Sequence, residues 1–188
     1  MPKVKTSKAE VLKKVIPVLR ARGVQNSSMS ELSKACQIQK SHFYYYFSNK
    51  DELIKEVLAT VHSYFHHNLF KIIDNPSMSI EEKIVKMKTL MFKIFQVSDG
   101  GCIMANTALE TIHLDPIYKK EIQSFFQDFI SGIERLLQQS QYDANEATEL
   151  AEQMVQDIEG GILLMQVYDD SKYLDKAIQR MEKIILKK

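Results

Sequence analysis

Helix-start signals recur along this chain so regularly that they leave little room for any other secondary structure. Ser7 with Glu10, Ser28 with Glu31, Ser48 with Asp51, Ser79 with Glu82 and Asp143 with Glu146 each place a capping side chain three residues ahead of an acid that can reach back to a free amide. Asp115 before Pro116 marks a further start, because proline at the first helical position gives up an amide that lacked a partner anyway. Ser171 can cap the last helix. Between the starts, apolar residues recur at steps of three and four, as in Leu53, Val57, Val61, Phe65, Leu69 and Ile72, and no segment sustains the alternation of a strand. The chain therefore reads as all-α, with about nine helices over residues 8–22, 29–36, 40–47, 50–73, 80–97, 103–113, 116–140, 144–168 and 171–187. Pro17 is the misfit, and implies that the first helix either bends there or starts later.

With 188 residues, 45% of them hydrophobic, the chain can bury a sizeable core. Its apolar runs fall far short of the roughly 20 residues that span a bilayer, so no membrane partner is expected. Two cysteines far apart and an N-terminus with lysines but no apolar run predict a reducing, cytoplasmic location. The net charge of +1 conceals a division: residues 1–50 carry ten Lys or Arg against Glu10 and Glu31, a balance of +8, which leaves −7 for the remainder. A basic N-terminal part on an acidic body predicts a polyanion at one end only.

Residues 28–51, SMSELSKACQIQKSHFYYYFSNKD, read as a short capped helix, a tight turn and a second helix with three consecutive tyrosines. Met29, Leu32, Ala35, Ile38, Phe43 and Phe47 can share one small core, leaving polar, basic and aromatic side chains outward. Such an outer face on a short second helix suits the major groove of DNA. Three tyrosines in a row cannot all face one core, and Tyr46 is the one expected to pack.

From residue 9 to residue 57 the chain closely resembles the N-terminal domain of the tetracycline-repressor-like (TetR/AcrR) family of bacterial transcriptional regulators. The Arg22-Gly23 helix ending, the SMSEL start of helix two, and FYYYF followed by SNKDEL carry the likeness. The resemblance implies a three-helix helix-turn-helix domain over residues 1–49 and a larger antiparallel helical ligand-binding and dimerisation domain over 50–188. Carried over by position, Gln39, Lys40, Ser41 and His42 face bases or neighbouring phosphates, Tyr44 and Tyr45 meet the backbone, and Ser28 and Lys50 meet phosphates at helix ends. Three positions depart from the family pattern. Gln37 stands where glycine is usual in the turn and must take a turn conformation, left-handed or otherwise, that glycine adopts more cheaply. Gln39 replaces the usual serine or threonine, and Tyr46 a frequent histidine.

Beyond residue 57 the likeness weakens to general architecture, although GCIMANTALE at 101–110 still resembles some C-terminal domains of the family. A sensor of an unidentified small-molecule effector needs a cavity among helices four to seven. Phe65, Met87, Met91, Phe95, Met104, Thr107, Phe125, Phe126 and Phe129 either line one or simply fill the core. Residues 158–167 leave almost no polar face, and a helix apolar on all sides must be covered on all sides. In the resembling family the last two helices pair with their two-fold mates as a four-helix bundle. That implies an interface through Ile158, Gly161, Ile162, Leu163, Met165, Ile178, Met181 and Ile185, and recognition helices about 34–36 Å apart, or a multiple, on a double-stranded operator.

His62 and His66 have the spacing of a shared metal, with His67 beside them, but lack a third ligand. Cys102 follows two glycines and reads as a redox sensor or a buried inert thiol. No orienting motif joins Cys102 to Glu110 or His113, so neither catalysis nor a cofactor is expected. The sequence thus predicts a homodimeric, ligand-released repressor on a palindromic operator. The alternative is a helical regulator whose body binds a protein or senses metal or redox state.

Overall fold

The computed structural model describes residues 7–95 and 100–187, and the described residues are helical nearly throughout. The helices are α1 (Lys8–Arg22), α2 (Met29–Ala35), α3 (Lys40–Tyr46), α4 (Lys50–Ile73), α5 (Ile80–Phe95), α6 (Ile103–Thr111), α7 (Lys119–Gln139), α8 (Ala144–Tyr168) and α9 (Lys172–Ile185). A 3-10 turn, Ile112–Leu114, follows α6. No described helix is long and apolar enough to cross a membrane.

The capping signals set most of these boundaries. Ser7 and Glu10 form a reciprocal box on α1, as do Ser28 and Glu31 on α2. Ser79 and Glu82 exchange the same bonds ahead of α5, and the Asp143 carboxylate accepts from the Glu146 amide ahead of α8. Helix α1 runs unbroken through Pro17, the lost hydrogen bond offset by the burial of Val11, Leu12, Val15 and Leu19 on one face.

Several boundaries differ from the sequence reading. The α4 cap is Asn49, whose side chain accepts from the Glu52 amide at 2.9 Å, while Ser48 donates to the Glu52 carboxylate instead of pairing with Asp51. Asp115 takes a left-handed conformation (φ 49°) and does not cap a helix at Pro116, so α7 begins at Lys119 after a further turn. Ser171 makes no capping bond; the Asp170 carboxylate accepts from the Lys172 amide at 2.9 Å. The turn expected at 98–101 lies partly outside the described residues, as does the end of the helix expected over 80–97.

Packing groups the described residues into two units: one holds those up to His62 with Ile103–Ile122, the other those of Ser63–Cys102 with those from Gln123 onward. Helix α4 contributes to both. In the first unit Leu53, Ile54, Val57 and Leu58 of α4 are buried, as are Ile103, Met104, Tyr118 and Ile122. The second unit buries Phe65, Phe125 and Phe129 as an aromatic cluster, with ring centroids 4.8 Å (65–125) and 5.0 Å (65–129) apart.

Its other main seam joins α8 to α9, where Leu174, Ala177, Ile178, Met181 and Ile185 are buried along one stripe. Each large side chain there contributes roughly 1.5–3 kcal/mol of apolar burial. Gly161 makes the approach possible, since a Cβ there would lie 3.1 Å from the Tyr173 carbonyl and from the Ala177 Cβ. Arg180 closes the seam with a forked pair of bonds to the Asp157 carboxylate at 2.6 and 2.7 Å.

Candidate nucleic-acid interface

Helices α2 and α3 are too short to be stable alone, and a shared core holds them. Met29, Leu32, Ile38, Phe43 and Phe47 are buried as expected, but Ala35 is exposed and Cys36 takes the inward position. Burial pushes the Cys36 thiol up, so it stays protonated and inert. Lys14 of α1 donates to the Cys36 carbonyl at 3.3 Å, closing the end of α2 with a cation. The turn to α3 passes through Gln37 at φ 55°, the left-handed region that glycine would occupy without cost. The Ile38 amide then bonds back to the Ser33 carbonyl at 3.0 Å and fixes the angle between the two helices.

With Phe43 and Phe47 turned inward, the helical period drives their neighbours outward. Tyr44 is 51% exposed and Tyr45 79%, while Tyr46 is half-buried and packs edge-on against Tyr45 at 4.8 Å. Gln39, Lys40 and Ser41 are exposed and His42 is half-buried. Gln39 opens α3 without a side-chain capping bond. Lys40 reaches over the Tyr44 ring, 5.8 Å from its centroid, so cation and phenol share one side of the helix.

Of these side chains Lys40 and Tyr44 line an open groove of about 630 Å³, together with Lys50. Gln25, Asn26, Ser28, Met29, Ser30 and Glu31 complete the lining. Ser28 does not present a bare helix end: its hydroxyl accepts from the Glu31 amide, and the Glu31 carboxylate accepts from the Ser28 amide at 2.7 Å. Hydrogen bonding from the Ser28 side chain and backbone amide holds the Glu31 carboxyl below its usual range, so the groove carries one carboxylate among its cations. Sequence reasoning missed Gln25, Asn26 and Ser30. Their position just before and within the first turn of the capped helix was the available signal.

The residues expected to line an effector cavity are placed more simply. Phe65, Met87, Met91, Phe95, Phe125 and Phe129 are buried in the second unit and Phe126 is half-buried, whereas Met104 and Thr107 are buried in the first. The same unit as the phenylalanines holds an unexpected acid, Glu159. Its Oε1 is shut off from solvent with no hydrogen-bond partner, and burial pushes its carboxyl up to about 7 despite a bond with the Cys102 thiol. His66 lies against the Asp128 carboxylate at 3.7 Å and the Phe70 ring. Among the described residues no three His, Cys, Asp or Glu are grouped to hold a metal ion.

Of the eight residues expected at a dimer interface, Ile158, Gly161, Ile162, Met165, Ile178, Met181 and Ile185 are buried within the chain itself, and Leu163 is 56% exposed. The outward stripe of α8 is Gly160, Leu163, Leu164, Val167 and Tyr168, spaced by three and four residues.

Comparison with known proteins places these features among bacterial regulators. Residues 16–57 match the model of bacterial regulatory proteins of the tetR family, and residues 81–180 match that of the LmrA/YxaF-like transcriptional regulator C-terminal domain. The HTH-type transcriptional repressor DhaR of Mycobacterium sp. (strain GP1) is 20% identical over 174 residues, 89% of this chain and 86% of that protein. A TetR transcriptional regulator from Legionella pneumophila superposes with a TM-score of 0.87 at 23% identity, over 96% of this chain and 98% of that one. The reduced form of NemR from E. coli gives 0.80 at 16% identity, over 93% and 94%.

Proposed function

Because the chain belongs to the tetR family of bacterial regulatory proteins, we propose that it acts as a homodimeric repressor on a palindromic operator and is released by a small organic effector. The observation that carries the reading is the face of α3, where buried Phe43 and Phe47 leave Tyr44 and Tyr45 exposed, and Tyr44 and Lys40 line a groove together with Lys50. Gln39 reaches a base edge, where a glutamine amide pairs bidentately with adenine. Lys40, Lys50 and the tyrosine hydroxyls meet phosphates, which set register and affinity. Among the relatives, DhaR is named a repressor, and that supports the sign of the effect.

The second copy docks through the apolar stripe of α8. A two-fold axis there repeats the recognition helix at one turn of DNA, about 34–36 Å, or a multiple of it. An effector held in the second unit favours the arrangement whose spacing does not fit the operator, and it shifts the equilibrium only by its difference in affinity for the two. A gel-shift assay on the DNA flanking the chain's own gene tests the reading. Salt-sensitive retardation supports it, and no binding to any fragment overturns it.

A further inference from the structure

We propose that Glu110, an α6 residue far in sequence from α1–α3, is a positioning residue for the DNA-contacting groove and holds the α1–α2 turn that forms one of its walls. The turn begins at Gly23, whose amide ends α1 by donating to the Leu19 carbonyl at 2.8 Å. It is braced from inside by buried Val24 and by Ser27, whose hydroxyl donates to the Gly23 carbonyl at 2.8 Å. On its outer side the turn is braced from α6: the Glu110 carboxylate accepts the Gln25 backbone amide at 2.7 Å. Gly23 leaves the space for it, since a Cβ there would fall on the Glu110 carboxylate.

Gln25 and Asn26 line the same groove as Lys40, Tyr44 and Lys50, so the amide that Glu110 grips sets where that part of the lining stands. The grip itself comes from a firm base. The segment Ile103–Ile122 packs within the same unit as α1–α3, and Glu121 pairs with Lys55 of α4 at 3.4 Å. A carboxylate on a backbone amide is a strong, charge-assisted bond with a fixed direction, suited to holding a loop that has no side-chain anchor of its own at Gln25. The glycine has its own reason to be there as a helix terminator at φ 80°, but that reason does not call for an acid from α6.

The inference rests on reading the groove as the DNA-contacting face, and the experiment separates the two. Full-length wild type, Glu110→Ala, Glu110→Gln and Lys50→Ala are titrated onto the duplex that the wild type selects from a random pool, across a range of salt. Glu110→Ala is expected to weaken binding about tenfold, the equilibrium effect of losing one charge-assisted hydrogen bond, with an unchanged salt slope and, because the bond is also made in the free protein, a melting temperature lower by a few degrees. Lys50→Ala removes a phosphate contact and lowers the slope by about one. Glu110→Gln keeps a carbonyl acceptor and falls between wild type and Glu110→Ala. Faster hydrogen exchange at the Gln25 amide in both Glu110 variants is the signature of a released turn.

Wild-type affinity in Glu110→Ala alongside a weakened Lys50→Ala overturns the proposal. So does weaker binding with wild-type hydrogen exchange at the Gln25 amide, which leaves the turn unreleased. If neither Lys50→Ala nor the Glu110 variants alter binding, the groove itself has been misread. Should Glu110→Ala fail to fold, Glu110→Gln decides the matter: faster Gln25 exchange with weaker binding supports the proposal, and faster exchange with unchanged binding overturns it.

Discussion

Gln37 carries backbone strain, with a side chain in a left-handed turn (φ 55°) that glycine would adopt freely. Gln37→Gly should therefore stabilise the chain by roughly 0.5–1 kcal/mol, less than the full left-handed penalty because glycine also loosens the unfolded chain. A rise in the thermal midpoint checks this, and a fall would show that the glutamine side chain makes a compensating contact. Glu159 carries a cost of another kind, a buried carboxyl. Well below pH 4.5 both folded and unfolded chains hold its proton and its burial adds no pH-dependent cost. As pH rises from there to about 7 the unfolded chain gives up the proton first, so stability falls, and above about 7 it levels off. The loss is of the order of 3 kcal/mol. Urea melts at pH 5 and pH 8 should differ less for Glu159→Gln than for wild type by about that amount.

At the scale of elements, much of the fold was legible because its signals are local. Ser7–Glu10, Ser28–Glu31 and Ser79–Glu82 each sit within one helical turn, where geometry follows from spacing alone. The start of α7 was not legible, since Asp115-Pro116 suits a helix start and a tight turn equally well and the left-handed Asp115 chose the turn. The outward face of α3 could be read from the three tyrosines, because only burial of Phe43 and Phe47 satisfies the period. The wall formed by Gln25 and Asn26 could not, because its brace comes from Glu110 across 85 residues. The apolar α8 left its partner open: its period shows that the helix is covered, but not whether α9 of the same chain or a second copy does the covering. Gly161 lies on the intrachain side. Gly161→Val should press on the Tyr173 carbonyl and cost about 1–3 kcal/mol, measured by denaturant melts.

For the whole molecule, the proposed dimer and the proposed DNA contact make separable demands on different residues. Leu163 stands out from α8 at 56% exposure, whereas Ile178 is fully buried between α8 and α9. Leu163→Glu should give a folded monomer on gel filtration with wild-type helicity, and Ile178→Glu should unfold, because an unpaired charge cannot be buried there. A dimeric Leu163→Glu would place the interface elsewhere. The contact with DNA is the central claim, and the dependence of affinity on salt tests it most directly. Fluorescence anisotropy of wild type and Tyr45→Ala on the selected duplex, from about 50 to 200 mM salt, should show log K falling linearly with log salt for the wild type. Tyr45→Ala should bind several-fold more weakly with the same helicity, since its side chain is 79% exposed and holds no core. Affinity independent of salt, or a Tyr45→Ala variant that binds like wild type, would contradict the assignment of the α3 face to DNA.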